Sequence, residues 1–85
     1  MKKIDFRKIQ VENIEGIKNE ADVSKQLGNL MYMQGQNIEE CELGRDIYHN
    51  GVVELNSKQA EIVLRFIRPW SYVLRSAIEE TLRDD

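Results

Sequence analysis

Eighty-five residues suffice for one domain and exclude two independent cores, and so short a chain buries only about 60% of its unfolded surface, a margin that self-association would widen. The apolar share of 41% rules out a disordered polar chain, while a net charge of −3 disfavours nucleic acid, whose binders carry a basic excess. One cysteine and one histidine, Cys41 and His49, exclude an internal disulfide and a four-ligand zinc site, and no apolar run approaches the roughly 18 residues that span a bilayer.

Ile4 and Phe6 alternate, then Ile9 and Val11 alternate in a different phase, which predicts one interrupted N-terminal strand, with residues 13–16 as a turn. From Asp22, an expected N-cap, Val23, Leu27, Leu30 and Met31 fall on one helical face, and Gly35 stops the helix. Asn37 with Glu40 is a capping-box pattern opening a second helix to about Tyr48, whose apolar residues Ile38, Cys41, Leu43, Ile47 and Tyr48 cover a broad arc. Gly28 and Gly44 are costly inside helices, so they mark the expected points of close approach in an αα-hairpin.

Asn50 and Gly51 are a strong turn dipeptide, and residues 52–55 read as a short strand pairing with the N-terminal strand or with another subunit. Asn56 with Gln59 caps a third helix, with Leu55 placed to staple against Ala60. Its main face is Ala60, Val63, Leu64 and Ile67, while Ile62 and Phe66 project from a second sector. Pro69 ends this helix near Ile67 and suits position N1 of a fourth, with a kinked continuous helix as the alternative. That fourth helix is marked by Trp70, Val73, Leu74, Ala77, Ile78 and Leu82. The expectation is a single α+β domain, mostly helical, over residues 1–85: an N-terminal strand, an αα-hairpin, a short strand and two C-terminal helices, with residues 1–3 and 83–85 frayed.

Catalytic chemistry finds little support. Cys41 and His49 are eight positions apart on one predicted helix, about 12 Å along its axis, too far for a thiolate and imidazole pair. The glycines form neither GxGxxG nor GxxxxGK[ST], and adjacent carboxylates such as Glu79 and Glu80 point apart. No catalytic, cofactor or metal residue is assigned.

Surplus apolar surface is the distinctive feature: Tyr32 and Tyr72 fall opposite the core faces of their helices, and Ile62 with Phe66 make a second stripe. These four are the expected contacts of a protein interface, in a cytoplasmic homo-oligomer or assembly factor with no membrane role. The alternative is a small nucleic-acid-binding regulator using Arg68, Arg75 and the N-terminal Lys2 and Lys3. The segments LGNLMY (residues 27–32), ELGRDIY (42–48) and NGVVELNSKQAEIV (50–63) resemble short phage- and prophage-encoded accessory proteins. The resemblance implies action through protein contacts and carries over no site residue.

Overall fold

The computed structural model describes residues 2–83. In chain order these form β1 (Lys2–Asp5), β2 (Ile9–Glu12), β3 (Lys18–Ala21), α1 (Ser24–Gln34), α2 (Ile38–Asn50), β4 (Val52–Leu55), α3 (Ser57–Phe66) and α4 (Tyr72–Arg83). The fold is α+β and mostly helical, the class expected.

The N-terminal segment is two strands rather than one, and they serve different sheets. β1 runs antiparallel to β4, with Lys2 opposite Leu55 and Asp5 opposite Val52, while β2 pairs with β3. Lys2 and Lys3 are ladder residues instead of a frayed end, because β4 in the same chain supplies their partners. At the other end Arg83 is still helical, and the fraying expected of Met1, Asp84 and Asp85 falls outside the described residues. The break between β1 and β2 is a turn in which the Lys8 N–H donates to the Asp5 carbonyl at 3.1 Å and the Arg7 N–H to Asp5 Oδ1 at 3.0 Å.

Phe6 sits inside that break, fully buried. Its N–H donates to the Gly51 carbonyl at 2.8 Å and its carbonyl accepts from the Val23 N–H at 2.9 Å. One residue thereby ties the N-terminal turn to the end of α2 and the start of α1.

β3 was not anticipated, because Lys18, Asn19, Glu20 and Ala21 show neither alternation nor β-branching; its strand character comes from pairing with β2. The connecting turn is well determined. Asn13 Oδ1 accepts from the N–H groups of Glu15 and Ile17 at 2.9 and 3.0 Å, and Gly16 takes a φ of 84°.

The caps at Asn37 and Asn56 form where the sequence places them, whereas the N-cap position of α1 is Val23, with no side-chain cap bond, and not Asp22. Asp22 accepts from the Ser24 hydroxyl at 2.7 Å and the Ser24 N–H at 3.0 Å, and these two bonds hold its carboxyl below the ordinary range, although the helix itself begins one residue later than an N-cap at Asp22 implies. Asn37 accepts from the Glu40 N–H at 2.9 Å. α2 then continues to Asn50, two residues past the expected end, until Gly51 with a φ of 75° returns its N–H to the Ile47 carbonyl. Asn56 and Gln59 form a complete reciprocal capping box.

Pro69 does not occupy N1 of the last helix. It lies in a turn closed by the Trp70 N–H on the Ile67 carbonyl, and α4 starts at Tyr72. Ser71 supplies the cap instead: its carbonyl accepts from the Arg75 N–H at 2.9 Å and its Oγ from the Leu74 N–H at 3.4 Å.

The core gathers Ile4, Phe6 and Ile9 from the N-terminal strands and their turn, Leu27 and Met31 from α1, Leu43 and Ile47 from α2, and Ile78 from α4. α3 contributes from both of its apolar sectors, Val63 and Ile62 being buried together, with Ile67 just beyond.

α1 and α2 cross at their glycines, as expected. A Cβ on Gly28 would lie 2.6 Å from the Gly44 carbonyl oxygen, and one on Gly44 would lie 2.8 Å from the Gly28 carbonyl oxygen. Neither backbone can yield without separating the helices. Gly28→Ala should therefore destabilise by about 2 kcal/mol despite alanine's better helix propensity, lowering the melting temperature by roughly 10 °C. Thermal unfolding followed by circular dichroism checks this, and an unchanged or raised midpoint would refute the close crossing.

Candidate functional site

The four residues singled out from the sequence do not form one surface. Ile62 is only 6% exposed and Phe66 is half-buried, so the second stripe of α3 faces inward. The correction has a packing cause: α3 contacts α1, α4 and β4, so its flanks are covered on more than one side. Tyr32 and Tyr72 are exposed but separated. Tyr72 opens α4 beside the β2–β3 hairpin, where it lines a hollow with Gln10, Asn13 and Lys18. Tyr32 lies on α1 against α2.

Around Tyr32 the structure assembles a face that periodicity alone did not isolate. α1 buries Ser24, Leu27, Gly28 and Met31, which turns Lys25, Asn29, Tyr32 and Met33 away from the core. α2 buries Glu40, Leu43, Gly44 and Ile47, which turns Ile38, Arg45, Tyr48 and His49 outward. Because the two helices touch backbone to backbone, these outward residues share the outer side of the hairpin. Met33 and Ile38 are 70% and 74% exposed at its tip.

Beside the glycine crossing, Tyr32 on the tip side and Tyr48 on the base side flank an open hollow of about 400 Å³ lined also by Gly28, Asn29, Arg45 and His49. Cations lie on the rings. Lys25 Nζ is 4.5 Å from the Tyr48 centroid, the Arg45 guanidinium 5.8 Å from that of Tyr32, and His49 meets Tyr48 edge-on at 5.2 Å. Such contacts hold long cationic side chains near the surface while leaving their outer sides hydrated.

Met33, Ile38 and Tyr48 were missed for a definable reason. Ile38 and Tyr48 belong to the broad apolar arc of α2, and only the position of Gly44 against α1 divides that arc. Leu43 and Ile47 go inward, Ile38 and Tyr48 outward, and Cys41 between the helices. The Cys41 thiol donates to the Tyr32 carbonyl at 3.5 Å. His49, by contrast, packs edge-on against Tyr48.

A second concavity lies between α2, α3 and α4, a groove of about 840 Å³. Arg68 and Arg75 do meet there, with Lys58 and Arg65, but Glu39, Glu40, Glu61 and Glu79 line the same groove. Several cations are already engaged. Lys58 pairs with Glu39 at 3.5 Å, Arg65 with Glu40, and Arg75 donates to the Arg68 carbonyl at 2.8 Å. Lys2 and Lys3 do not line this groove; they lie in β1.

Among the described residues, no group of three His, Cys, Asp or Glu side chains is placed to hold a metal, and no helix is long and apolar enough to cross a membrane. No protein-family model, curated protein or solved structure matches the chain.

Glu40 is the buried charge of the molecule's described part. Its carboxylate accepts from the Gln36 N–H at 3.0 Å and from the Arg65 guanidinium. The Gln36 bond, aided by Arg65 and opposed by burial, holds its carboxyl below the ordinary value of 4.5. A depressed carboxyl stabilises the fold fully above that ordinary value and loses its contribution as pH falls through it towards the native-state value. Glu40→Gln keeps the Gln36 acceptor but loses the charge. The variant should be less stable by about 1 kcal/mol at neutral pH, since Arg65 is largely solvated. Urea titrations between pH 7 and pH 3 should show the two proteins converging in acid; a constant difference would contradict the assignment.

Proposed function

We propose that the chain is a non-enzymatic protein-interaction module of the phage or mobile-element assembly type, working in the cytoplasm through the outer face of the α1–α2 hairpin. The observation that carries this reading is the gathering of Tyr32, Met33, Ile38 and Tyr48, all substantially exposed, on one side of two touching helices. Contiguous apolar patches on small proteins mark contact surfaces. The residue types fit as well, since tyrosine joins an apolar ring to a wet hydroxyl and methionine adapts its shape to a partner. Lys25, Arg45 and His49 form a polar rim, the usual surround of an apolar contact. Phage origin rests on the resemblance of residues 27–32, 42–48 and 50–63, and the compartment on a lone cysteine.

The nucleic-acid reading through Arg68 and Arg75 is less well supported, because phosphates entering their groove would face four carboxylates. Fluorescent single-stranded and duplex oligonucleotides should show no binding even at ~50 mM salt, where phosphate contacts are strongest. Affinity falling steeply with added salt would replace the protein-contact reading with a regulator. The double variant Met33→Glu, Ile38→Glu should keep the wild-type melting temperature within a few degrees, both positions being exposed and Ile38 opening a helix whose dipole favours acid. Sedimentation and native mass spectrometry should then show loss of any stoichiometric polypeptide that the wild type carries; retention would exclude this face.

A further inference from the structure

The outer face of the hairpin is polarised along its length. Its base half, where α1 begins and α2 ends, carries Lys25, Tyr48 and His49, with Arg45 just past the Gly28–Gly44 crossing, while Tyr32 lies beside Met33 in the tip half. Its tip carries Met33 and Ile38, followed one turn along α2 by exposed Glu42 on the same flank, about 40° round the helix from Ile38. A surface that is cationic and aromatic at one end, and apolar and acidic towards the other, is complementary to itself turned end for end.

We infer that the occupant of this face is a second copy of the chain, packed hairpin on hairpin about a two-fold axis that lies in the contact plane and runs across the helices. The inference rests on the protein-contact reading above and specifies the partner. Such an axis sets α1 against α1 and α2 against α2 in antiparallel sense, each contact occurring twice. With the axis level with the Gly28–Gly44 crossing, Ile38 of one copy covers Tyr48 and His49 of the other. Met33 meets the Lys25 stem, and Glu42 faces Arg45.

The other two-fold arrangement, with the axis along the helices, would bring base to base. The cationic ends bearing Lys25 and Arg45 would then be brought together, a like-charge contact that opposes association. The charge pattern therefore selects the antiparallel form. The face is small: helices of 11 and 13 residues are roughly 16 and 20 Å long, and two side by side are about 20 Å wide, below the ~800 Å² per partner of a standard interface. Association in the micromolar range is expected, not a permanent dimer.

Sedimentation equilibrium of the full chain tests the arrangement by charge exchange. Glu42→Lys and Arg45→Glu should each weaken self-association about tenfold, because each homodimer then repeats a like-charge contact on both sides of the axis. An equimolar mixture of the two variants should recover wild-type affinity within a few-fold, since Lys at 42 meets Glu at 45 and the native Arg45 meets the native Glu42. Both substitutions lie on the exposed side of α2, and unchanged melting temperatures show that the monomers are intact.

A wild-type chain that stays monomeric up to about 100 μM, where micromolar affinity would leave mostly dimer, would overturn the second-copy proposal and leave a different protein as the partner. Dimers weakened by each variant but not restored on mixing would overturn the antiparallel arrangement. Salt-sensitive oligonucleotide binding lost in Arg45→Glu would remove both this proposal and the functional reading beneath it.

Discussion

Two carbonyl groups and two missing side chains govern the architecture. Gly28 and Gly44 let α1 and α2 meet backbone to backbone, each glycine's absent Cβ being the space that the other's carbonyl oxygen occupies. That contact fixes how both helices are rotated about their axes. Leu27, Met31, Leu43 and Ile47 are thereby committed to the core, and every residue on the opposite flank is committed to the outside. The surplus of apolar surface outside the core is thus a consequence of the crossing, since a wider separation would let Tyr48 and Tyr32 slip between the helices.

Phe6 extends this order to the strands. Its ring is enclosed, and its two backbone groups bridge the end of α2 to the start of α1, so the N-terminal turn is held at the base of the same hairpin. β1 can then reach β4 while β2 is released to pair with β3 and lie along α4. Opposite, Glu40 joins α2 to α3 through Arg65 and secures the Gln36 N–H in the interhelical connection. A charge is tolerable there because both carboxylate oxygens are hydrogen-bonded and one cation remains close to water.

Electrostatics separate the two concave regions of the molecule. In the α2–α3–α4 groove, carboxylates and cations share the lining and two pairs, Lys58–Glu39 and Arg65–Glu40, join α3 to α2. On the hairpin face, Lys25 and Arg45 lie over tyrosine rings, with the Asp22 carboxylate also near Lys25. Their charge is therefore moderated but not neutralised, and it remains available to an acidic group brought by another molecule. The difference is the physical ground on which the hairpin face, and not the groove, is proposed as the contact surface.

Local chemistry was legible in the residues: the caps at Asn37 and Asn56, the turns at Gly16 and Gly51, and the paired glycines all act through neighbours a few positions away, or through a steric cost that only close approach can offset. The helix-dominated class followed from those signals. What tertiary structure decided was which of several apolar sectors meets which neighbour. Ile62 was as greasy as Ile38, yet α3 has partners on more than one side and α2 has an open flank, so one is buried and the other is not. Likewise β3 exists because β2 folds back on it, and α4 begins at Tyr72, capped by Ser71, because the Ile67 turn redirects the chain before Pro69 can start a helix. Periodicity measures where side chains point around one axis; burial depends on what lies in that direction, and that is a property of the assembled chain.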